Sequence, residues 1–270
     1  MANLFQRCFI LALLWGVGGG VYQIWLIRKI KRVKMKKWTL ANDWVLASNN
    51  AGKLQELQQL FNQKQLSVSL VPQAQLGVTE AIEDGLSYIE NALIKARHAS
   101  DMSGLPAIAD DSGLSVPVLG GKPGIYSARY ASQSDRERLG IGQNIDQDTA
   151  NITKLLAELS PYRPSLTNAD FTEQRVTNDH NSPITAMFVC VLVMVRYADD
   201  PLPLIAQGFW HGQITNRPMG DKGFGYDPVF WLPQQGMSAA QLDQASKNRL
   251  SHRGQACHNL LQQICTFIDL

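Results

Sequence analysis

Three carboxylates in the first half of the chain have the setting of a site for a divalent cation. Glu83 lies in the loop before a predicted helix, and Asp110 and Asp111 directly follow the apolar run at 106–109. Side chains at the carboxyl ends of strands are where α/β folds bind ligands, and hard carboxylate oxygens suit Mg²⁺. An aspartate could instead cap the turn that begins at Ser112, but a cap would need only one of the two.

A polar segment early in the chain has the composition of a phosphate-binding turn. It joins a predicted strand at 43–48 to a predicted helix that begins near Ala51. Such a junction presents free backbone N–H groups and the positive end of a helix dipole, both of which suit a phosphate. The segment lacks the Walker pattern GxxxxGK[ST], and taken alone it is better explained as a tight turn with a capping Ser or Asn. Its candidate phosphate-binding residues are Ser48, Asn49, Asn50, Ala51, Gly52 and Lys53.

Two later segments have the composition of a pocket for a nucleotide base. In the first, glycines flank Phe224, whose ring could stack on a purine and contribute roughly 1–3 kcal/mol, although a β-turn with core aromatics explains it about as well. In the second, basic residues could read a carbonyl at purine position 6, and buried donors would reject an adenine amino group. The alternative there is a helix capped by Ser251 with exposed basic residues. The candidates are Phe224, Gly225, Tyr226, Asp227, Lys247, His252 and Arg253.

Apolar periodicity predicts the elements that would position these residues. Strands at 43–48, 67–71 and 106–109 alternate with helices, which is typical of a sheet with βαβ crossovers. The second helix is predicted to begin at Ser87, which forms a capping box with Glu90. The expected apolar face of this helix consists of Leu86, Ile89, Leu93 and Ala96.

The second half of the chain predicts a long hairpin and a closing helix. The uninterrupted apolar run Ala186–Val195 is typical of a strand buried on both faces, and 202–210 is its expected partner. The closing helix is predicted at 258–268. Between the two halves, the polar segment 135–183 is expected to be an enlarged surface loop with one helix at 152–159.

Composition favours a folded protein and argues against a protein that binds duplex nucleic acid. The chain has 270 residues, of which 45% are hydrophobic, and a formal net charge of +2. Eight basic residues and no acid precede Asp43, so the remainder has 17 basic and 23 acidic residues. A body this acidic lacks the basic surface that duplex binding needs. The four cysteines are Cys8, Cys190, Cys257 and Cys265. They form no CxxC pair and are expected to be ordinary thiols in a reducing compartment.

Two hypotheses account for residues 1–34. The 20 residues at 8–27 carry no charge and have about the length of a membrane-spanning helix, and seven basic residues follow at 28–37. The positive-inside rule would keep that side cytoplasmic. The segment is either a single anchor for a cytoplasmic domain or an artefact upstream of a true start at Met35. The artefact is favoured because Met35 lies just ahead of the first strand, so the folded domain is predicted at 35–270.

Five separated motifs occur in an order that resembles the inosine/xanthosine triphosphate pyrophosphatase family. They are SNNAGK, EDGLSYIENALIKA, ADDSGL with GGKPGIYSARYA, GFGYDP and SHRGQA, within about residues 45–261. The resemblance implies a two-lobed α/β fold with a long central mixed sheet flanked by helices and an active-site groove between the lobes. It also implies a homodimer that hydrolyses ITP, dITP and XTP to the monophosphate and pyrophosphate with Mg²⁺, before polymerases use them. The segments 1–34 and 135–183 depart from the family pattern.

The resemblance assigns roles to individual residues. The turn at 48–53 would hold the triphosphate, and Ser112 would contact the substrate. Glu83 and Asp111 would bind Mg²⁺, with Asp110 beside them as a further candidate ligand, and Asp111 would also be the general base. The pocket for base and sugar would consist of Phe224, Gly225, Tyr226, Asp227, Lys247, His252 and Arg253.

Two alternatives stay open at the level of the sequence. A related pyrophosphatase could act on modified pyrimidines or other nucleotides, although the SHR and GFGYDP segments argue against this. A non-catalytic nucleotide sensor, tethered through residues 8–27, is the second alternative, although a binding protein would not need a carboxylate that activates water. No nucleic-acid partner is expected, and contact with a membrane is expected only if 8–27 is an anchor.

Overall fold

The computed structural model describes residues 43–163 and 183–268. Both hypotheses for residues 1–34, and positions 164–182 of the predicted surface loop, lie outside these ranges. In the ranges that are described, no helix is both long enough and apolar enough to cross a membrane.

The described residues form one mixed sheet of seven strands, in the order β2-β1-β3-β4-β5-β6-β7. The strands are β1 (Asp43–Leu46), β2 (Ser69–Pro72), β3 (Ala107–Ser115), β4 (Thr185–Val195), β5 (Leu204–Ile214), β6 (Phe230–Leu232) and β7 (Met237–Ser238). The α-helices are α1 (Ala51–Gln63), α2 (Tyr88–Ser103), α3 (Gln133–Leu139), α4 (Gln147–Leu159), α5 (Gln244–Leu250) and α6 (His252–Ile268).

The sheet changes from parallel to antiparallel at β3. Strand β1 is parallel to β2 and β3, as the βαβ rhythm predicts, whereas β3, β4 and β5 pair as a long antiparallel meander. The pairing of β1 with β3 ends where Leu46 lies opposite Ile108. Beyond that point no described strand pairs with this edge of β3. The predicted α/β class with a mixed sheet flanked by helices is confirmed, and the division into two lobes around a groove stays a prediction.

Alternation along the strands directs side chains into an apolar layer on each face of the sheet. On one face, Val45, Ala107 and the valines of β4 pack against α2. On the other face, Trp44 contacts Phe61 of α1 edge-on, with the ring centroids 5.8 Å apart, and α6 packs against β4 and β5. Each face of the sheet is therefore covered by helices from different parts of the chain.

The predicted apolar face of α2 was wrong at its first two positions. Leu86 and Ile89 are 87% and 36% exposed, whereas the helix buries Asn91 and three alanines, Ala92, Ala96 and Ala99. Small side chains let the helix approach the valines of the sheet closely, with Tyr88 and Leu93 packed against the same core. Leu86 precedes the first residue of the helix. Ser87 caps α2, because its Oγ accepts a hydrogen bond from Glu90 N at 3.2 Å. The predicted capping box is only half formed, since the Glu90 carboxylate accepts from Leu86 N at 2.8 Å instead of from Ser87 N.

Several predicted boundaries were also wrong. The strand predicted at 106–109 continues through both aspartates to Ser115, and the closing helix begins at His252 rather than at residue 258. Within the expected surface loop, two helices form, α3 and α4, where one was expected. In β3, for example, the strand continues through Asp110 and Asp111 because Lys53 and Lys95 donate hydrogen bonds to their carboxylates.

The start of α6 depends on a glycine in β5. A Cβ atom at Gly208 would overlap the backbone carbonyl of His252 and would lie 2.7 Å from the backbone nitrogen of Ala256. Both are backbone atoms, which cannot move out of the way as the end of a flexible side chain could. Gly208 therefore sets how closely the first turn of α6 approaches the sheet.

We expect Gly208→Ala to destabilise the fold by about 1–3 kcal/mol, because the added methyl group overpacks a contact between backbones. Urea-induced unfolding monitored by circular dichroism measures this change. Gln207→Ala, at the neighbouring position, is the control and should stay close to wild type. A Gly208→Ala protein as stable as that control would contradict the close approach.

Candidate functional site

Asp110 and Asp111 are adjacent in β3 and therefore point to opposite faces of the sheet. Asp110 lies on the same face of the sheet as Ile108. Asp111 lies on the opposite face with Ala107 and Ala109, which pack on the α2 side. Both aspartates are buried. They lie just past the end of β1, where the two faces of the sheet open into a common cavity. The alternation of β3 thus gives the two carboxylates different partners.

On the face of α1 and α6, Asp110 binds two cations. Lys53 Nζ donates hydrogen bonds to both of its carboxylate oxygens, at 2.8 and 2.7 Å, and Arg253 Nη2 lies 3.9 Å from Oδ2. Burial would raise the pKa of Asp110, but Lys53 and Arg253 outweigh it and hold the pKa well below its usual value. Asp110 is therefore charged, and it fixes the ammonium group of Lys53 at the rim of the cavity.

On the face of α2, Asp111 and Glu83 share one cation. Lys95 Nζ lies 3.1 Å from Asp111 Oδ1 and 3.4 Å from Glu83 Oε2. The second oxygen of Asp111, Oδ2, is buried and has no hydrogen-bond partner among the described residues. Burial raises the pKa of Asp111, Lys95 opposes that change, and the neighbouring Glu83 and Asp110 charges add to it. Asp111 thus has an oxygen without a partner and a raised affinity for protons.

The Lys53–Asp110 pair and the Glu83–Lys95–Asp111 cluster both line a cavity of about 540 Å³. Most of the residues predicted for the site line it: Asn50, Gly52, Lys53, Glu83, Asp110, Asp111, Ser112, Phe224, Gly225, Tyr226, Asp227, Lys247, His252 and Arg253. A larger and more open groove, of about 730 Å³, lies between the start of β5 and α6, and none of the described residues that line it is charged. Since the ionisable groups converge in the smaller cavity, that cavity is the candidate site.

The turn before α1 forms the helix cap that was one of the two explanations of this segment. Asn50 is the N-cap of α1, with its Oδ1 accepting from Lys53 N at 3.1 Å. Ser48 Oγ accepts from Asn50 N, and Asn49 Oδ1 accepts from Ala74 N, which lies in the segment after β2. Ser48 is therefore engaged within the turn and Asn49 with the segment after β2, and neither lines the cavity. Their assignment to the triphosphate stays a prediction supported only by the resemblance.

Residues 223–227, called here the Phe224 loop, form the opposite end of the cavity. Asp227 is buried, and its Oδ2 accepts from Phe224 N at 2.9 Å and from Lys247 Nζ at 2.5 Å. The ring of Phe224 is 54% exposed, with Lys247 Nζ 5.0 Å and Arg253 Cζ 5.4 Å from its centroid. Asp227 therefore orients this loop, and an aromatic face bordered by two cations is presented to the cavity.

His252 closes this end of the cavity from α6. Its ring lies almost parallel to the ring of Phe188, at 9° and 4.7 Å between centroids. Nδ1 is buried and has no hydrogen-bond partner among the described residues. Burial and the neighbouring Arg253 cation lower the pKa of His252 well below 6.5. The imidazole is therefore neutral at pH 7 and can accept one hydrogen bond and donate another.

Several residues that line the cavity were not among the predicted site residues, and those with a charged or large aromatic side chain are Lys95, Arg129, Asp148 and Phe188. A signal for Lys95 was present, because a single lysine on the alanine-rich face of α2 would be buried and would need a carboxylate partner. Phe188 lies within a continuous apolar run and has no distinguishing neighbour. Asp148 looks like any acid in the first turn of a helix.

The described residues contain no group of three or more His, Cys, Asp or Glu side chains arranged to bind a metal ion. Glu83 and Asp111 nevertheless fit a hard cation. Their oxygens converge on one ammonium group, that of Lys95, and the remaining oxygen of Asp111 is unsatisfied. Magnesium is commonly held by one or two carboxylates, with water and phosphate oxygens completing its shell.

The mixed sheet flanked by helices and the charged cavity beyond the end of β1 define an α/β protein with a concave polar ligand site. Its sequence matches the model of the Ham1 family over residues 44–263. The chain belongs to the Ham1 family.

Relatives cover most of the chain. It is 50% identical to the dITP/XTP pyrophosphatase of Acinetobacter baylyi over 229 residues, which is 85% of this chain and 97% of the relative. It is 49% identical to the dITP/XTP pyrophosphatase of Bordetella parapertussis over 82% of this chain and 90% of that protein. The solved structure of a HAM1 protein from Coxiella burnetii superposes with a TM-score of 0.68 at 39% identity, covering 83% of this chain and 98% of that one.

The depressed pKa of His252 predicts that stability falls as the medium becomes acidic. Above about pH 6.5 the ring is neutral in both the folded and the unfolded chain, so it does not contribute to the pH dependence of the free energy of unfolding. Below that value the unfolded chain binds a proton that the folded chain excludes. The free energy of unfolding then falls by up to about 1.4 kcal/mol per pH unit, until the folded pKa is reached.

Replacing His252 by Gln should remove this part of the slope. Urea unfolding at pH 8, 7, 6 and 5 measures it in both proteins. His258→Gln is the matched control, since that histidine is exposed on the same helix and should leave the wild-type slope unchanged. Equal slopes in wild type and His252→Gln would show that the buried ring does not exclude the proton.

Proposed function

We propose that this chain hydrolyses non-canonical purine nucleoside triphosphates, namely dITP, ITP and XTP, to the monophosphate and pyrophosphate. The observation that carries the proposal is that one cavity joins the Glu83–Lys95–Asp111 cluster to the Phe224 loop. The first suits phosphate chemistry, and the second suits a base. The names of the dITP/XTP pyrophosphatases that share about half of its sequence support the same activity.

At the phosphate end, the start of α1 and Lys53 would bind the triphosphate. Asn50, Gly52 and Lys53 border the cavity at the positive end of the helix dipole. Lys53 is 24% exposed although it is paired with Asp110, so its ammonium group can also reach a ligand. Asp110, with both oxygens on Lys53, is better suited to hold this lysine than to bind a metal.

Glu83 and Asp111 would hold Mg²⁺, which when bound would neutralise charge on the phosphates. Asp111 would accept a proton from the water that attacks the α-phosphorus, a role that its raised pKa favours. The α–β anhydride bond would break, and pyrophosphate would leave with the electron pair. Lys95, held between the two carboxylates, would keep them oriented and offset their mutual repulsion.

At the base end, Phe224 would stack on the purine and the donors on α6 would select its 6-oxo group. Neutral His252 and charged Arg253 lie next to each other at the start of α6, and both line the cavity. A 6-amino group would face donors there and would leave buried N–H groups unpaired, which disfavours adenine. A cytoplasmic location is part of the proposal, because these substrates arise in the nucleotide pool.

A homodimer is also part of the proposal. Ile82 and Leu86, on either side of Glu83, are 82% and 87% exposed. Large apolar side chains exposed together near a site are typical of a contact surface. No nucleic-acid partner is proposed, since the net charge of the residues after position 42 is negative.

The test is pyrophosphate release by the purified protein with Mg²⁺ and dITP, XTP, dATP or dGTP. We expect release from dITP and XTP at least about tenfold faster than from dATP and dGTP, because the donors match a 6-oxo purine. Equal rates for dITP and dATP would contradict the base pocket. A folded protein that binds dITP but releases no pyrophosphate would contradict the enzyme and favour a nucleotide sensor.

We expect Asp111→Asn to lower kcat for dITP by at least about a hundredfold, because the amide cannot accept the proton from water. Calorimetric titration with Mg²⁺ should also show weaker binding, since one ligand loses its charge. Asp84→Asn, an exposed acid next to Glu83, is the matched control for a general change in charge. A kcat of the Asp111→Asn protein close to wild type, in a folded protein, would refute the role of this carboxylate.

A further inference from the structure

Asp148 connects α4 to the loop that carries Phe224. Its Oδ2 accepts a hydrogen bond from Gly225 N at 2.7 Å, across 77 positions of sequence. Asp148 is exposed, lies in the first turn of α4 and lines the cavity. The proposed mechanism gives this carboxylate no role, and its contact with the loop needs a reason.

The cap of α4 does not provide that reason. Asp146 is the N-cap, and its carboxylate accepts from Thr149 N at 2.9 Å and from Thr149 Oγ1 at 2.8 Å. Asp148 would add a favourable charge at the helix N-terminus, but Asp146 supplies the same charge two residues earlier. The feature that distinguishes Asp148 is its bond to Gly225.

That bond completes the anchoring of the Phe224 loop. Within the loop, Phe224 N is held by Asp227, three residues away. From outside the loop, Tyr226 OH donates to Ser127 O at 2.9 Å, and Asn151 of α4 donates to that same carbonyl. Asp148 holds Gly225 N between these two contacts. Three consecutive residues of the loop are therefore held, one of them directly by α4 and one by a carbonyl that α4 also contacts.

Gly225 is the position at which the loop most needs such a tie. Its φ is +60°, in the left-handed region that glycine enters without strain. The same freedom lets the peptide between Phe224 and Gly225 rotate, and rotation would move the exposed ring of Phe224. A hydrogen bond from Gly225 N to a carboxylate on α4 restrains that rotation.

We propose that Asp148 is a positioning residue, which holds Gly225 so that the ring of Phe224 is set to stack on the purine. This inference rests on the proposed function, and it concerns the binding of the base and not the chemistry at the α-phosphorus. It gives α4, a helix that sequence reasoning placed in a surface loop, a part in substrate recognition.

Asp148→Ala should raise KM for dITP about tenfold, the scale of a lost charge-assisted hydrogen bond, and should leave kcat within about twofold. The phosphate end of the cavity, built by β3, α1 and α2, does not contact Asp148, so the chemical step should not change. Asp148→Asn keeps an oxygen that can accept from Gly225 N and should restore most of the lost affinity. Should the Ala protein fail to fold, Asp148→Glu keeps the charge but displaces the acceptor, and it should also raise KM.

A double-mutant cycle with Phe224→Ala tests whether Asp148 acts through the ring. If it does, adding Asp148→Ala to Phe224→Ala should raise KM by less than about twofold, because no ring is left to position. Asp146→Ala, which removes the cap from the same helix, is the matched control and should leave KM unchanged. Full additivity in the cycle, an equal rise in KM for Asp146→Ala, or a wild-type KM for Asp148→Ala would each overturn the inference.

The wild-type protein separates this inference from the proposed function. If wild type releases no pyrophosphate from dITP, the function fails. The same cycle is then run on the dissociation constant of dITP, measured by calorimetry. A wild-type protein with neither turnover nor dITP binding would overturn the inference as well.

Discussion

The site depends on the alternation of one strand. Because β3 continues through both aspartates, Asp110 and Asp111 point to opposite faces, and each needs a cation from the helix that covers its own face. Lys53 of α1 and Lys95 of α2 meet that need. Two buried carboxylates on adjacent residues would otherwise repel each other and carry a large cost of desolvation. The helices must therefore approach the sheet at the point where β1 ends, and that point is where the cavity opens.

The two carboxylates have different surroundings, and their pKa values move in opposite directions. Lys53 is bound to both oxygens of Asp110 and outweighs the effect of burial, so this group is held in its charged form. Asp111 shares Lys95 with Glu83, keeps one oxygen without a partner among the residues that the structure describes, and has a raised pKa. Opposite shifts in neighbouring acids commonly separate a structural group from one that exchanges protons. This difference is the physical basis for assigning the chemistry to Asp111 and the positioning of Lys53 to Asp110.

Local patterns predicted much of this structure but not the contacts that decide its chemistry. The apolar runs predicted strands and helices near their observed places, and the motif residues from Asn50 to Arg253 largely converge on one cavity. The end of β3 was misjudged because Asp110, Asp111 and Ser112 read as a turn, and only lysines 16 and 57 positions away make a buried strand tolerable there. Leu86 was misassigned because the helix begins only at Tyr88, and Ile89 because the face of α2 on the sheet is formed by Ala92, Ala96 and Ala99. The bond from Gly225 to Asp148 spans 77 positions, and no local pattern encodes such a distance.

The balance of charge in the cavity supports a metal requirement independently of the resemblance. Five basic side chains line the cavity, Lys53, Lys95, Arg129, Lys247 and Arg253, and five acidic ones, Glu83, Asp110, Asp111, Asp148 and Asp227. Three of the five cations, Lys53, Lys95 and Lys247, already bind carboxylates within 3.1 Å. A polyanionic triphosphate that entered alone would thus meet little net attraction and would lie near the two acids of the Lys95 cluster. A divalent cation placed at Glu83 and Asp111 would make the charge at this end of the cavity attractive to phosphate, because the cation can bind carboxylate and phosphate oxygens together. On this argument we propose that the cavity binds a metal–nucleotide complex and not the free nucleotide.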